Sequence, residues 1–212
     1  RDRASITEYL NAVLLYSLLQ KQEHDFHLRL RPVRIAMPVN LRRFFPSKTL
    51  RNFITMVYPS IDPRLGDYTF EEIVTQVHHY MRYYINSKFL RGDITTNAST
   101  QRNPLIRIVP LFLKDFVVRQ FYQRVQDKNS SAGLTNMGAI RVPDDMKPYL
   151  ERFDIYMGIP YSQRTNCAIV SFEDTLTVNF ASCIIEADVE RRFFQKLVED
   201  GIPVTIESNR EL

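Results

Sequence analysis

Two adjacent histidines, His78-His79, are the first candidates for proton transfer, because an imidazole titrates near neutral pH and can serve as a general base. Their neighbours argue otherwise. Phe70, Ile73, Val74, Val77 and Met81 recur at helical spacing, and with Val77 at the centre of that apolar face His78 falls about 100° away, at its margin. His79 falls about 200° away, toward solvent. The pair therefore reads as boundary and surface. His24 and His27 lie in a polar connection with no carboxylate or nucleophile at useful spacing, and they too read as surface residues. None of the four histidines is near Cys167 or Cys183 in sequence, so the ligand set for a metal is weak. Only six glycines occur, without a phosphate-cradling loop or a Gly-x-Ser-x-Gly elbow, which removes support for nucleotide chemistry and serine hydrolysis.

More informative is Ser130-Ser131-Ala132-Gly133-Leu134-Thr135-Asn136-Met137-Gly138, where small, hydroxyl and amide side chains interrupt an otherwise β-prone run. Strand interiors disfavour Gly and Asn, so two glycines flanking Thr135-Asn136 imply either a bulge or turn, or a close approach to the backbone. On the second reading Thr135 and Asn136 offer hydrogen-bond donors to a carbonyl or a developing oxyanion in a cleft.

The elements that would position these residues follow from periodicity. Ser5-Ile6-Thr7-Glu8 fits a capping box opening a helix over about 6–21. Val33, Ile35 and Met37 alternate with Arg34 and Ala36 before Pro38, predicting a strand that ends near Val39; a second strand, 53–58, stops at Pro59. Thr69 or Asp67 caps the helix bearing His78-His79, expected to run on to Phe89 and stop by Gly92. Residues 91–103 read as a loop, Pro110 opens another helix through about Val125, and 127–131 is a turn. Short β-prone runs at 132–140, 152–159, 166–172 and 175–184 should build a sheet; a helix over about 188–200 ends at Gly201, and 204–206 returns as a short strand. The expected fold class is α/β (α+β), a mixed, mainly antiparallel sheet flanked by helices, in one domain over 1–212.

Composition sets outer bounds. With 44% apolar and 12% aromatic residues, the 212-residue chain can bury a sizeable core. No uncharged apolar run reaches the eighteen or so residues of a membrane span, and Arg1 to Ser5 do not lead into an apolar signal core. The chain opens without an initiator Met and reads as a fragment. Two cysteines are too few for a disulfide framework, which favours reduced structural thiols and a cytoplasmic location. The net charge of +4 comes from 28 basic residues interspersed with 24 acidic ones, arguing against a nucleic-acid stripe. The densest basic cluster, Arg29, Arg31, Arg34, Arg42, Arg43, Lys48 and Arg51, fits a local anion site or interface instead.

Taken in order, three stretches resemble the carboxy-terminal half of the chloramphenicol acetyltransferase-like superfamily, closest to its alcohol O-acetyltransferase and condensation-domain branch. They are Pro38-Val39-Asn40-Leu41-Arg42-Arg43 with Leu50-Arg51-Asn52-Phe53; Leu134-Thr135-Asn136-Met137-Gly138; and the hairpin 171–180 with its following helix. The first looks like the family's post-strand "vdlR…lgN" segment, and the second is similar to its "S-N-x-G" strand with Thr135 in place of Ser. The resemblance implies one lobe of a two-lobed acyltransferase moving an acyl group from acyl-CoA or an acyl-phosphopantetheine thioester to an alcohol or amine acceptor. It also implies Thr135 and Asn136 in the channel, Gly138 permitting close approach, and Arg42 and Asn52 shaping the fold or the channel mouth. The family's base belongs to an HHxxxDG motif in the amino-terminal half. His78-His79 is followed by Tyr-Met-Arg-Tyr-Tyr and departs from it, so no catalytic residue is assigned in this chain, which is not expected to act alone. The implied partners are the half carrying the catalytic His, a small-molecule acceptor and a possible carrier protein. The competing reading is a noncatalytic binding or scaffold domain of the same fold.

Overall fold

Ser5 opens the first helix as expected: its hydroxyl accepts from Glu8 N while the Glu8 carboxylate accepts from Ser5 N, so two amides that no helical carbonyl can reach are satisfied. The helix, α1, runs Ile6–His24 in a computed structural model that describes residues 4–25, 29–102, 130–160 and 163–209, with Pro110 and Asp115. The helix expected over 110–125 lies almost wholly outside these residues. After α1 come β1 Val33–Asn40, a 3₁₀ turn Leu41–Arg43, β2 Ile54–Val57 and the short β3 Ser60–Ile61. Thr69, not Asp67, caps α2 Phe70–Tyr84 in a second capping box with Glu72. Then follow α3 Ser87–Arg102, β4 Ala132–Ala139, β5 Thr165–Phe172, β6 Thr175–Ser182 and α4 Asp188–Glu199.

The fold is mixed α/β, with four described helices flanking a six-stranded sheet ordered β2-β1-β4-β5-β6, β3 also pairing with β1. The β1–β4 and β4–β5 pairs are parallel and the other three antiparallel. Alternation sends Val33, Ile35, Met37 and Val39, with Ala132, Leu134, Cys167 and Ile169, to the face covered by α1, α2 and α4, where they join Leu14, Ile73, Val77 and Phe193 in one apolar core. This sheet face and these helical stripes are what hold the molecule together, each buried aliphatic side chain contributing about 1.5–3 kcal/mol against exposure.

Four expectations differ from the structure. The long helix does not continue to Phe89: it ends at Tyr84, and Asn86 starts a new one by accepting from Lys88 N and Phe89 N, an Asn cap that favours a break. Residues 91–102 are accordingly helical, with the Thr95 and Thr96 hydroxyls bonded back to Arg91 O and Gly92 O instead of competing for the amides. Residues 152–159 form no strand. Their alternation is nonetheless real: Phe153, Ile155, Met157 and Ile159 are half-buried between exposed neighbours, because the segment lies extended over the sheet face opposite the helices. Phe153 meets Phe172 edge-on at 5.1 Å and Asp154 accepts from Asn179. Residues 204–206 likewise pair with no strand, and Glu207 anchors that tail through a two-pronged bond from Arg152. No described helix is long and apolar enough to cross a membrane.

Candidate functional site

The sheet is continuous near the amino ends of β1 and β4 and opens toward their carboxyl ends, and the cause is visible in the sequence. Ile35 and Ala36 pair with Ala132 and Gly133, and the ladder between the two strands goes no further. Amide direction alternates along a strand: Ile35 N donates away from β4, to Pro59 O, while Arg34 N and O both meet Ser131. Even-numbered residues of β1 therefore address β4. Pro38 is the next but one in that series, and it has no N–H with which to extend the ladder. On the other side of the opening β4 is itself irregular: Asn136 pairs with Ile169 but Ala139 with Ser171, so β4 carries one extra residue. Gly138 takes φ +79° within this bulge, a value that disfavours a side chain. In open parallel α/β sheets ligands bind beyond the carboxyl ends of the strands, and β1, β4 and β5 are the parallel part of this sheet.

Thr135 and Asn136, adjacent in sequence, point to opposite faces. Asn136 faces the helices: its Nδ2 donates to Thr7 Oγ1 in the first turn of α1 at 2.9 Å, and its Oδ1 accepts from Gly138 N at 2.8 Å. One side chain thus ties the bulge to α1. Thr135, half-buried and paired with Ala168, faces the helix-free side, and its hydroxyl makes no hydrogen bond among the described residues. On the same side by strand alternation are Pro38 and its β2 partner, the exposed Met56. Gly138 has nothing within 4 Å of where a Cβ would stand, and its positive φ suits the backbone turn. Within the protein the close approach in this segment is at Gly133, where a Cβ would lie 2.7 Å from Asn166 Oδ1. Asn166, 1% exposed, accepts from Gly133 N and donates to Gly158 O, fastening the 152–159 segment to the sheet.

Arg42 and Asn52 bound the loop after β1. Arg42 Nη2 donates to Thr49 O at 2.9 Å and Arg51 O at 2.6 Å, and its backbone N–H reaches Asn40 Oδ1, so the guanidinium folds the loop back on itself. Asn52 is exposed at the loop's far end. His79 is exposed; His78 is half-buried with Nδ1 3.3 Å from the buried Glu8 carboxylate, joining α2 to α1. That pairing is not legible from spacing, since 70 residues separate the two. Asn11 is a further residue that motif and spacing do not single out: fully buried in α1, it donates to Met37 Sδ at 3.5 Å, and its Oδ1 has no hydrogen-bond partner among the described residues. Its only sequence signal is an amide inside an apolar helix. Two cavities lie away from Thr135. One of about 330 Å³ is lined by Tyr16, Glu23, Asp67 and Tyr68, and one of about 220 Å³ by Lys21, Ser131, Arg164 and Thr165.

No family model and no curated protein matches the chain. Five chains of solved structures do match. One is the crystal structure of tallysomycin biosynthesis protein TlmII, with a TM-score of 0.46 and 9% identity over 95% of this chain and 47% of that one. The chain thus spans about half the length of that protein, and the relationship is a distant structural one.

Proposed function

We propose that this chain forms one wall of an acyl-transfer cleft, in which an acyl group passes from CoA or a phosphopantetheine thioester to an alcohol or amine, with the base supplied by a partner lobe. The reading starts from the resemblance carried by the stretches around Arg42, Asn136 and 171–180. The single observation that supports it is the Thr135 hydroxyl: a donor without a partner among the described residues, on the helix-free face, beside the opening between β1 and β4.

In the proposed reaction the base takes the acceptor's O–H or N–H proton as that atom forms a bond to the thioester carbon. The carbonyl electrons move onto oxygen, and Thr135 donates a hydrogen bond to the oxyanion. When the carbonyl re-forms, the C–S bond breaks and the base returns its proton to the departing thiolate. Asn136 acts as a positioning residue, since Thr7 and Gly138 already engage both ends of its amide. It holds the bulge that sets the height of Thr135.

Thr135→Val in the full-length protein removes the donor while keeping the shape. The expected outcome is a loss of kcat on the order of 10²-fold, with the melting temperature within a degree or so of wild type and activity largely restored in Thr135→Ser. Full kcat in the Val variant would remove Thr135 from the site. A wild-type protein that turns over neither CoA nor carrier thioesters would instead favour the noncatalytic scaffold.

A further inference from the structure

From Phe26 through Ile61 the chain contains no acidic residue, and seven of those residues are Arg or Lys. The fold divides these charges. Arg29, Arg31 and Arg34 stay near the start of β1, whereas Arg42, Arg43, Lys48 and Arg51 gather in the loop beyond its carboxyl end, eight strand residues away. Arg42 is occupied in holding the loop's carbonyls. Arg43, Lys48 and Arg51 are exposed, and among the described residues none of their side chains has a hydrogen-bond or ion-pair partner. Arg91, 6.0 Å from the centre of the Phe45 ring, adds a fifth cation from α3. Like charges on one short loop, without partners among the described residues, repel one another, and an anion seated among them relieves that repulsion.

We propose that the 41–53 loop binds the phosphate groups of the acyl donor. The inference rests on the acyl-transfer reading and adds where the donor's charged end lies. Continuing the β1–β4 register brings Pro38 level with Thr135, so the loop begins only a few residues beyond the hydroxyl along the strand direction. A thioester at Thr135 and phosphates at the loop are separated in the sense that a pantetheine arm separates them. The Arg42 clasp presets the loop, so less conformational freedom is lost when the anion binds. Phosphate could come from the 3′-phosphate and diphosphate of CoA, or from the phosphodiester of a carrier-bound arm.

The test measures binding of CoA, dephospho-CoA and a phosphopantetheinylated carrier protein to the full-length protein over a salt series. Two charge-matched variants are compared: Arg43→Ser/Lys48→Ser/Arg51→Ser, and Arg29→Ser/Arg31→Ser/Arg82→Ser elsewhere on the surface. In the expected result the loop variant weakens one of the phosphate-bearing donors about tenfold or more and flattens its salt dependence, while the second variant binds as wild type does. CoA as the source predicts that dephospho-CoA binds wild type more weakly than CoA does and that the loop variant narrows this gap; a carrier source predicts loss confined to the carrier. Equal donor binding by the two variants, with turnover intact, overturns the loop's role and leaves the acyl-transfer reading standing. A folded wild-type protein that binds no donor in either form overturns both.

Discussion

Cys167 on β5 and Cys183 at the end of the neighbouring β6 face different surroundings. Cys167 pairs with Phe180 in the middle of the hairpin, and burial among apolar side chains pushes its thiol well above the usual range. Cys183 lies just past β6, exposed, with its sulfur near Arg164 O. Only a thiolate reacts readily, so a thiol-specific chromogenic reagent should label one cysteine of this chain quickly in the native state and the second only on unfolding. Cys183→Ser should abolish the fast phase; a fast phase surviving in that variant would contradict the burial of Cys167. The same scale separates the two halves of the Thr135-Asn136 pair. Composition offers both as donors, whereas strand alternation commits Asn136 to α1 and leaves Thr135 half-buried on the opposite face.

At the scale of elements, α3 is built from weak material: few apolar residues, three back-bonded hydroxyls and Gly92 in its interior. Leu90 is fully buried, and the Tyr84–Phe89 edge contact at 4.6 Å joins the helix to the end of α2. Gly92 has open space around a would-be Cβ and no positive φ, so nothing among the described residues requires it. Gly92→Ala should raise stability by about 0.5–1 kcal/mol, read as a higher urea midpoint at unchanged slope. A lower midpoint would mean that Gly92 serves a contact outside the described residues. The opening between β1 and β4 belongs to this scale as well. It follows from a proline on one strand and a bulge on the other, neither costly at an interrupted ladder.

For the whole molecule, the ends of the described chain are clamped together by Tyr9, Asp200 and Lys196. Tyr9 Oη donates to Asp200 Oδ2 at 2.5 Å, and Lys196 Nζ donates to its Oδ1 at 2.6 Å. Partial burial pushes the Asp200 carboxyl up, but the Lys196 ammonium and the Tyr9 hydroxyl outweigh it and hold the group below its ordinary value of 3.8. Burial and the neighbouring carboxylate raise the Tyr9 phenol far above its usual range, so it remains a donor throughout the acidic and neutral region. Because the carboxyl is depressed in the folded state, its stabilisation is present above the unfolded value near 3.8 and is lost as pH falls through the folded one. Asp200→Asn should lower the melting temperature by about 2–4 °C at neutral pH, an exposed pair being worth up to ~1 kcal/mol, and the gap to wild type should close below about pH 4. A gap that persists at low pH would assign the effect to packing.

How much was legible depended on how local the cause was. The Ser5 capping box, the strands around Val33 and Cys167, the hairpin and the last helix follow from neighbours within a few residues, where propensity and alternation act directly. Alternation also announced that 152–159 is extended, but whether an extended segment joins a sheet or lies across it depends on whether an edge is free, which no local pattern records. The residues that could make a site were named from the sequence: Thr135, Asn136, Gly138, Arg42 and Asn52. Which face each side chain takes, that Glu8 meets His78 and that free cations collect beyond β1 are set by contacts between residues tens of positions apart. Such contacts exist only once the helices cover one face of the sheet, because burial of the common core, and not any short motif, brings those segments together.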